Sequence, residues 1–354
     1  MADTAVMDTV SVPKAIAWQA QHAEQNGAPG TARIVRALLA LEDSPAATAR
    51  RIHSWQGLSL RDAMPLRIAG GFHNLLLTGD EPRLEDVYAG RMSDQGQVDT
   101  LVRELVETYD ARLMPWLDGP PQTNEAGRSA SFAAALLWLA DGRSTAQFEF
   151  LEIGASAGIN TMIGRYRYNL GGVTTGPRAS RMVIEPEWRG SPPPASDIAF
   201  VDARGSDIAP VDLTDERQAL RLKSYVWPEA IGRMARIDAA IALAERMAPD
   251  VERMDAGEWV VRELAHTPEP AITRVLAHSI MWQYLPDETQ ARIEASLQDA
   301  GGRATAESPL AHLSLETNRE TFAHELKVRY WPGGEEVVHL ANAHAHGAWV
   351  EWLG

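Results

Sequence analysis

Up to about residue 147 the apolar positions recur every three or four residues. Ile16, Ala17 and Ala20 begin one stripe behind Ser11, Val12 and Pro13. Ile34, Val35, Leu38, Leu39 and Leu41 form another after Thr31. That is the period of a helix face turned to a core. Ser44 followed by Pro45 reads as a cap and first turn. The pattern returns over Leu60–Leu77, Val98–Leu117 and Ser129–Leu139, and breaks at Asp118-Gly119-Pro120-Pro121 and Asp141-Gly142. No alternating run, fixed-period repeat or low-complexity tract interrupts it. The pattern predicts helices and essentially no sheet over residues 1–147.

The character changes at Phe148. FEFLEIG is a short apolar run ending in glycine, the signature of a buried strand. Ile159, Ile163 and Tyr166 then fall on one side of a helix. RMVIE (Arg181 to Glu185), VERMD (Val251 to Asp255), AITRVLAHS (Ala271 to Ser279) and PLAHLSLE (Pro309 to Glu316) read as further strands. Ser191 to Ala195 is a loop, and Thr214 to Ala248 reads as two helices split at Pro228. HELKVRYW, Pro332-Gly333-Gly334 and EVVHLANAH read as a closing hairpin. Alternating strands and helices imply a mainly parallel sheet, with the hairpin adding one antiparallel edge strand. The expected architecture is α/β. A helical domain over 1–147 precedes a Rossmann-like domain over 148–354, which carries a helical cap at 214–248.

Composition narrows the chemistry. The 354 residues suit about two domains, or one large one with an extension. With 33 basic and 48 acidic side chains the net charge is −15, which repels a phosphate backbone and argues against nucleic acid. There is no cysteine, so disulfides, thiolate nucleophiles and cysteine-ligated metals are excluded. The opening residues have no basic stretch before an apolar run, so no secretory signal is expected. The longest apolar run, Phe132 to Ala140, is far short of the roughly 20 residues of a membrane span. The expectation is a soluble cytoplasmic protein without a membrane partner.

LEIGASAGIN, Leu151 to Asn160, carries the most information. One reading is a nucleotide-binding turn, with Glu152 at the strand end, glycines at the bend and N–H groups behind it. A second is the nucleophile elbow G-x-S-x-G, matched by Gly154, Ser156 and Gly158 with Ser156 as nucleophile. A third is a tight turn with no ligand. Chain position favours the first. An elbow follows a central strand, whereas FEFLEIG is preceded by helical sequence and reads as the first strand.

The strand order, the acid-x-Gly-x-x-x-Gly turn, Asp255 after a third strand and the closing hairpin resemble class I S-adenosylmethionine-dependent methyltransferases. Ser156 stands where that family has its middle glycine. Nearly the whole chain resembles a bacterial family, domain of unknown function 2332. The shared segments are LEIGASAGIN, Trp188-Arg189-Gly190, RGSDIAPVDL, YVWPEAIGRMARI, AHSIMWQYLP and HAHGAWVEW. The resemblance implies a methyltransferase-type fold, S-adenosylmethionine as cofactor and an unidentified small acceptor. It implies that Glu152, Gly154, Ser156, Gly158 and Asn160 hold the cofactor's amino-acid end. Glu185 would take the ribose hydroxyls, and Asp255 with Ala256 would meet the adenine. Residue by residue, Glu185 reads equally as a solvated strand-end acid, and Asp255 as a helix N-cap.

His278 ends the fourth strand and is the candidate base, if the acceptor must lose a proton. Its alternative is a structural histidine. Trp282 and Tyr284 follow it and are candidates for the acceptor side, or for core packing. His339, His344 and His346 crowd the final segment without a third ligand at diagnostic spacing, so no metal is expected. In the hydrolase reading one of them is the triad base. Arg204, Asp207 and Asp212 lie in a polar segment before the helical pair, and Arg221, Arg233 and Arg236 lie on that pair; such arginines read either as clamps for an acidic acceptor or as solvated helix faces. The Arg165, Tyr166, Arg167, Tyr168 alternation could stack on bases, but no wider basic patch accompanies it. The competing functions are an esterase-type hydrolase and a non-catalytic binding protein on the same fold.

Overall fold

The computed structural model describes residues 11–59 and 62–354. The opening residues, tested above for a signal, and Leu60, expected to open a helix, lie outside them. Before Gln147 the described elements are all helical: α1 (Val12–Gln25), α2 (Pro29–Ala37), α3 (Ala47–His53), α4 (Met64–Leu77), α5 (Arg83–Tyr88), α6 (Gln95–Thr108), α7 (Asp110–Leu113) and α8 (Ser129–Ala140), with short 3-10 turns. The described residues form two compact units. One runs to Thr123 and takes in Asp215–Ala235; the other holds Asn124–Thr214 and Arg236–Gly354. The first therefore ends ahead of residue 147, and the second begins before the sheet. The 214–248 segment, read as a cap, folds as α9 (Glu216–Ser224) and α10 (Ile231–Ala244) and is divided between the two units.

The first unit is built on the periodicity described above. Ile16, Ile34, Val35, Leu38, Ile52, Ile68, Phe72 and Leu105 share one core. Its helices start where local chemistry permits. Proline occupies the first turn of α1, α2 and α4. The Asp94 carboxylate accepts the Gln97 N–H at 3.0 Å to cap α6. Asp110 caps α3 from a distance in sequence, accepting the N–H groups of Ala47 and Thr48 at 2.7 Å.

The second unit is organised by a nine-stranded sheet. Its strands are β1 (Gln147–Ile153), β5 (Glu187–Arg189), β6 (Ala199–Asp207), β7 (Asp250–Arg253), β8 (Ile272–Ser279), β9 (Leu310–Thr317), β10 (His324–Trp331), β11 (Gly334–Ala343) and β12 (Trp349–Trp352). The order is β5-β12-β11-β10-β9-β8-β1-β6-β7. The run β9-β8-β1-β6-β7 is parallel throughout, β9 to β12 pair antiparallel, and β12 pairs parallel with β5. A mixed α/β protein with a large, mostly parallel sheet is thus what the alternation predicted. One sheet face packs on α11 (Ala256–Glu263) and α12 (Asp287–Arg303) through Leu151, Ile153, Leu276, Ile293 and Leu297. The other carries Phe150, whose ring lies 5.9 Å from that of Phe132 on α8. That helix is apolar on all sides, as a fully buried helix is.

Three expectations are corrected. RMVIE contributes only β4 (Val183–Ile184), which joins β2 (Arg167–Leu170) and β3 (Val173–Thr175) in a separate three-stranded sheet. The strand beside β1 is instead β6, a segment read from sequence as polar connection. The stretch after the glycine turn is a single short 3-10 helix, Asn160–Arg165, which ends at the extended Tyr166; Ile159, Ile163 and Tyr166 are all buried. The closing hairpin is not the edge, since β12 and β5 extend the sheet beyond it.

Candidate functional site

The turn after β1 takes three left-handed residues in five: Gly154 at φ 64°, Ser156 at 53° and Gly158 at 69°. Glycine tolerates this conformation, and serine adopts it at a cost. The turn is tied to the end of β6. The Ser156 N–H donates to Asp207 Oδ2 at 2.8 Å, and the Ala155 N–H to the Ser206 carbonyl at 3.0 Å. A Cβ on Gly154 would lie 2.9 Å from the Met281 side chain, and one on Gly158 2.5 Å from Pro249. Both glycines thus answer to the chain's own packing as well as to the bend.

Beneath the turn sits a buried polar cluster. Glu152 is 1% exposed, and its Oε1 accepts the Asn160 side-chain amide at 2.8 Å. Glu152 Oε2, Asn160 Oδ1, Ser156 Oγ and Ser206 Oγ are buried without a hydrogen-bond partner. Buried polar atoms are nearly always partnered, so Glu152 Oε2, Asn160 Oδ1 and Ser156 Oγ, on one strand end and the turn that follows it, mark a place where a partner fits; Ser206 pairs in register with Ile153 and faces the other side of the sheet. Burial pushes the Glu152 carboxyl up to about 8, against the opposing pull of the Asn160 amide and the Arg128 charge.

The other residues expected on the cofactor side stand on different elements. Glu185 lies beyond β4 in the small sheet and accepts the Asn169 amide at 2.6 Å. The acid at the end of the strand neighbouring β1 is Asp207, which also accepts the Ala209 N–H at 2.8 Å. Sequence reading noted Asp207 only within a polar segment; the signal was the small pair Gly205-Ser206 running into an acid. Asp255 is a helix N-cap, its Oδ1 accepting the N–H groups of Gly257 at 2.9 Å and Glu258 at 3.1 Å. Ala256 is the buried first residue of α11.

His278 points to the opposite face from Glu152. Glu152 pairs in register with Ala277, and successive side chains of a strand alternate. His278 Nδ1 meets Glu316 Oε1 at 2.7 Å, its Nε2 meets His312 Nε2 at 3.1 Å, and its ring stacks on Trp282 at 4.8 Å. Tyr284 is 76% exposed on the turn that follows. His344 accepts the His346 N–H at 3.1 Å, and His339 Nε2 meets the Ala341 carbonyl. Among the described residues no three histidine, aspartate or glutamate side chains are placed to hold a metal ion. Arg204 is engaged by Glu149 and Glu263, Arg236 by Glu125, and Arg221 lies over the Trp116 ring. Among the described residues no helix is long and apolar enough to cross a membrane.

Compared with known proteins, residues 13–352 match the family model described as an uncharacterized protein conserved in bacteria, DUF2332. No curated protein and no solved structure matches the chain.

Proposed function

Since the chain belongs to the bacterial family DUF2332, whose description carries no reaction, we propose from the geometry that its second unit is an S-adenosylmethionine-dependent methyltransferase for a small acceptor. The carrying observation is the set of three unpartnered buried atoms, Glu152 Oε2, Asn160 Oδ1 and Ser156 Oγ, at the end of β1 and in its turn. Their position supports the reading. The parallel strands run β7-β6-β1-β8-β9, so the sheet grows in both directions from β1. Ligands of such sheets bind outside the carboxyl ends, where the order reverses.

The donor set fits the cofactor's amino-acid end. Once Glu152 gives up its proton on binding, its Oε2 and Asn160 Oδ1 accept from an ammonium, and the hydroxyl of Ser156 donates to a carboxylate. Asp207 takes the ribose role first given to Glu185, because each of its oxygens keeps a second lone pair beside its backbone bond. Ala256 borders the adenine side, while the Asp255 carboxylate stays with its helix. When bound, the sulfonium supplies an activated methyl group for in-line displacement. The chain's contribution is to hold the partners in line, which supplies much of the acceleration of such reactions. His278 has both ring nitrogens engaged and faces away from Glu152, so the reading needs no base there. Tyr284 remains the exposed group for the acceptor side.

One observation favours the hydrolase, namely the left-handed Ser156 inside G-x-S-x-G. Against it, Ser156 Oγ has no hydrogen-bond partner, so no histidine holds it as a base would. Calorimetric titration with S-adenosylmethionine and S-adenosylhomocysteine separates the two. Binding is expected, and ligand at about 100 times Kd raises folding stability by about 2.7 kcal/mol. Ser156→Ala is expected to keep most of that binding. No heat at millimolar ligand, or fluorophosphonate labelling of Ser156 with ester turnover lost in Ser156→Ala, overturns the proposal.

A further inference from the structure

On the sheet face away from Glu152, five side chains form an unbroken line of hydrogen bonds. Arg329 donates to Glu294 Oε2 at 2.7 Å and lies 3.1 Å from His312 Nδ1. A guanidinium only donates, so His312 Nδ1 accepts, and the His312 proton sits on Nε2. That proton is donated to His278 Nε2 at 3.1 Å, which puts the His278 proton on Nδ1, facing Glu316 Oε1 at 2.7 Å. Between Arg329 and Glu316 every bond points the same way. Burial, then the neighbouring His278 and Arg329, hold the His312 pKa well below the usual histidine range. With all four ring nitrogens engaged, the pair serves as a rigid wall and offers neither a base nor a metal ligand.

The wall belongs to a cavity of about 290 Å³, which it shares with Trp282, Ser314, Lys327 and Val337. That is the small end of the range for ligand sites. Its acids already have partners. Glu294 holds Arg329, and Glu316 Oε1 takes the His278 proton and the N–H groups of Met281 at 3.1 Å and Trp282 at 3.3 Å. Its donors are not exhausted. Lys327 pairs with Glu325 but carries three protons, Arg329 has further N–H groups, and Ser314 offers a hydroxyl. Beside these donors stand the Trp282 indole, fixed flat by stacking on His278 within 21°, and the exposed Val337. Donors in excess next to a flat apolar wall define one ligand chemistry.

We propose that the cavity between α12 and strands β8 to β11 binds a small aromatic carboxylate, its anion held by Lys327, Arg329 and Ser314 and its ring laid on Trp282. The site is separate from the one at Glu152 and stands or falls independently of it. The test is titration by calorimetry and ligand-observed NMR with benzoate and 2-naphthoate, with their amides, benzamide and 2-naphthamide, and with inorganic phosphate. The two acids are expected to bind, 2-naphthoate the tighter, and the amides about tenfold more weakly, since a charge-assisted hydrogen bond contributes at least that factor. Lys327→Met is expected to weaken 2-naphthoate about tenfold while the melting temperature holds. Trp282→Leu is expected to remove the preference for 2-naphthoate over benzoate. Amides binding as well as acids, phosphate competing equally, Lys327→Met without effect, or no binding of either acid overturns the proposal.

Discussion

Glu152 sets the clearest pH signature of any single residue. Its carboxyl is pushed up to about 8 by burial, from 4.5 in the unfolded chain. Between those values the native state keeps a proton that the unfolded state has released. Its contribution to stability is therefore present below pH 4.5 and is lost as the pH rises toward 8. The slope is at most about 1.4 kcal/mol per pH unit. Glu152→Gln, which keeps the shape and the Asn160 contact, is expected to flatten the fall in melting temperature between pH 5 and 8. An unchanged profile would remove Glu152 as its source. His73 in the first unit works the other way. Burial pushes it down to about 4, so its contribution is lost as the pH falls from 6.5. The two effects are separable because they fall in different units. At this scale one pairing inside the motif can be seen: the Asn160 amide donates to Glu152. Asp207 was not legible in the sequence, because an acid inside RGSDIAP announces nothing until β6 is known to lie beside β1.

At the scale of elements, apolar period decided what could be read. The helices of the first unit and β1, β8 and β9 bury continuous apolar faces, and periodicity found them. It missed β6 because that strand is partly polar for a reason visible only in three dimensions. Arg204 on β6 is satisfied by Glu149 of β1 and Glu263 of α11, so a charged residue sits where the pattern asks for an apolar one. The same logic applies to Asp255, whose two readings the sequence left open. As an N-cap, its replacement by alanine is expected to cost about 1 kcal/mol in denaturant unfolding, with Asp255→Asn recovering most of it. If Asp255→Ala instead left stability intact and abolished ligand binding, the cap would not be its main role. The turn makes a harsher demand. Gly158→Ala places a Cβ 2.5 Å from Pro249 on a left-handed backbone, and a loss of roughly 1–3 kcal/mol is expected.

For the whole molecule, charge and topology answer different questions. The net charge of −15 bears on solubility and on which partners are repelled, and says nothing of the fold. The sheet says more. Its outer strand β5, residues 187–189, pairs with β12, residues 349–352, and a backbone crossing reinforces this closure: a Cβ on Gly127 would lie 2.5 Å from the His346 carbonyl oxygen. Strands this far apart in sequence impose an order on synthesis. Every residue of the first unit has been made by position 235, well over a hundred residues before β12 exists. The emerging chain can therefore settle one unit while the other waits with β5 unpaired and β11 bound on one side only, and only the translation of residue 352 completes that sheet.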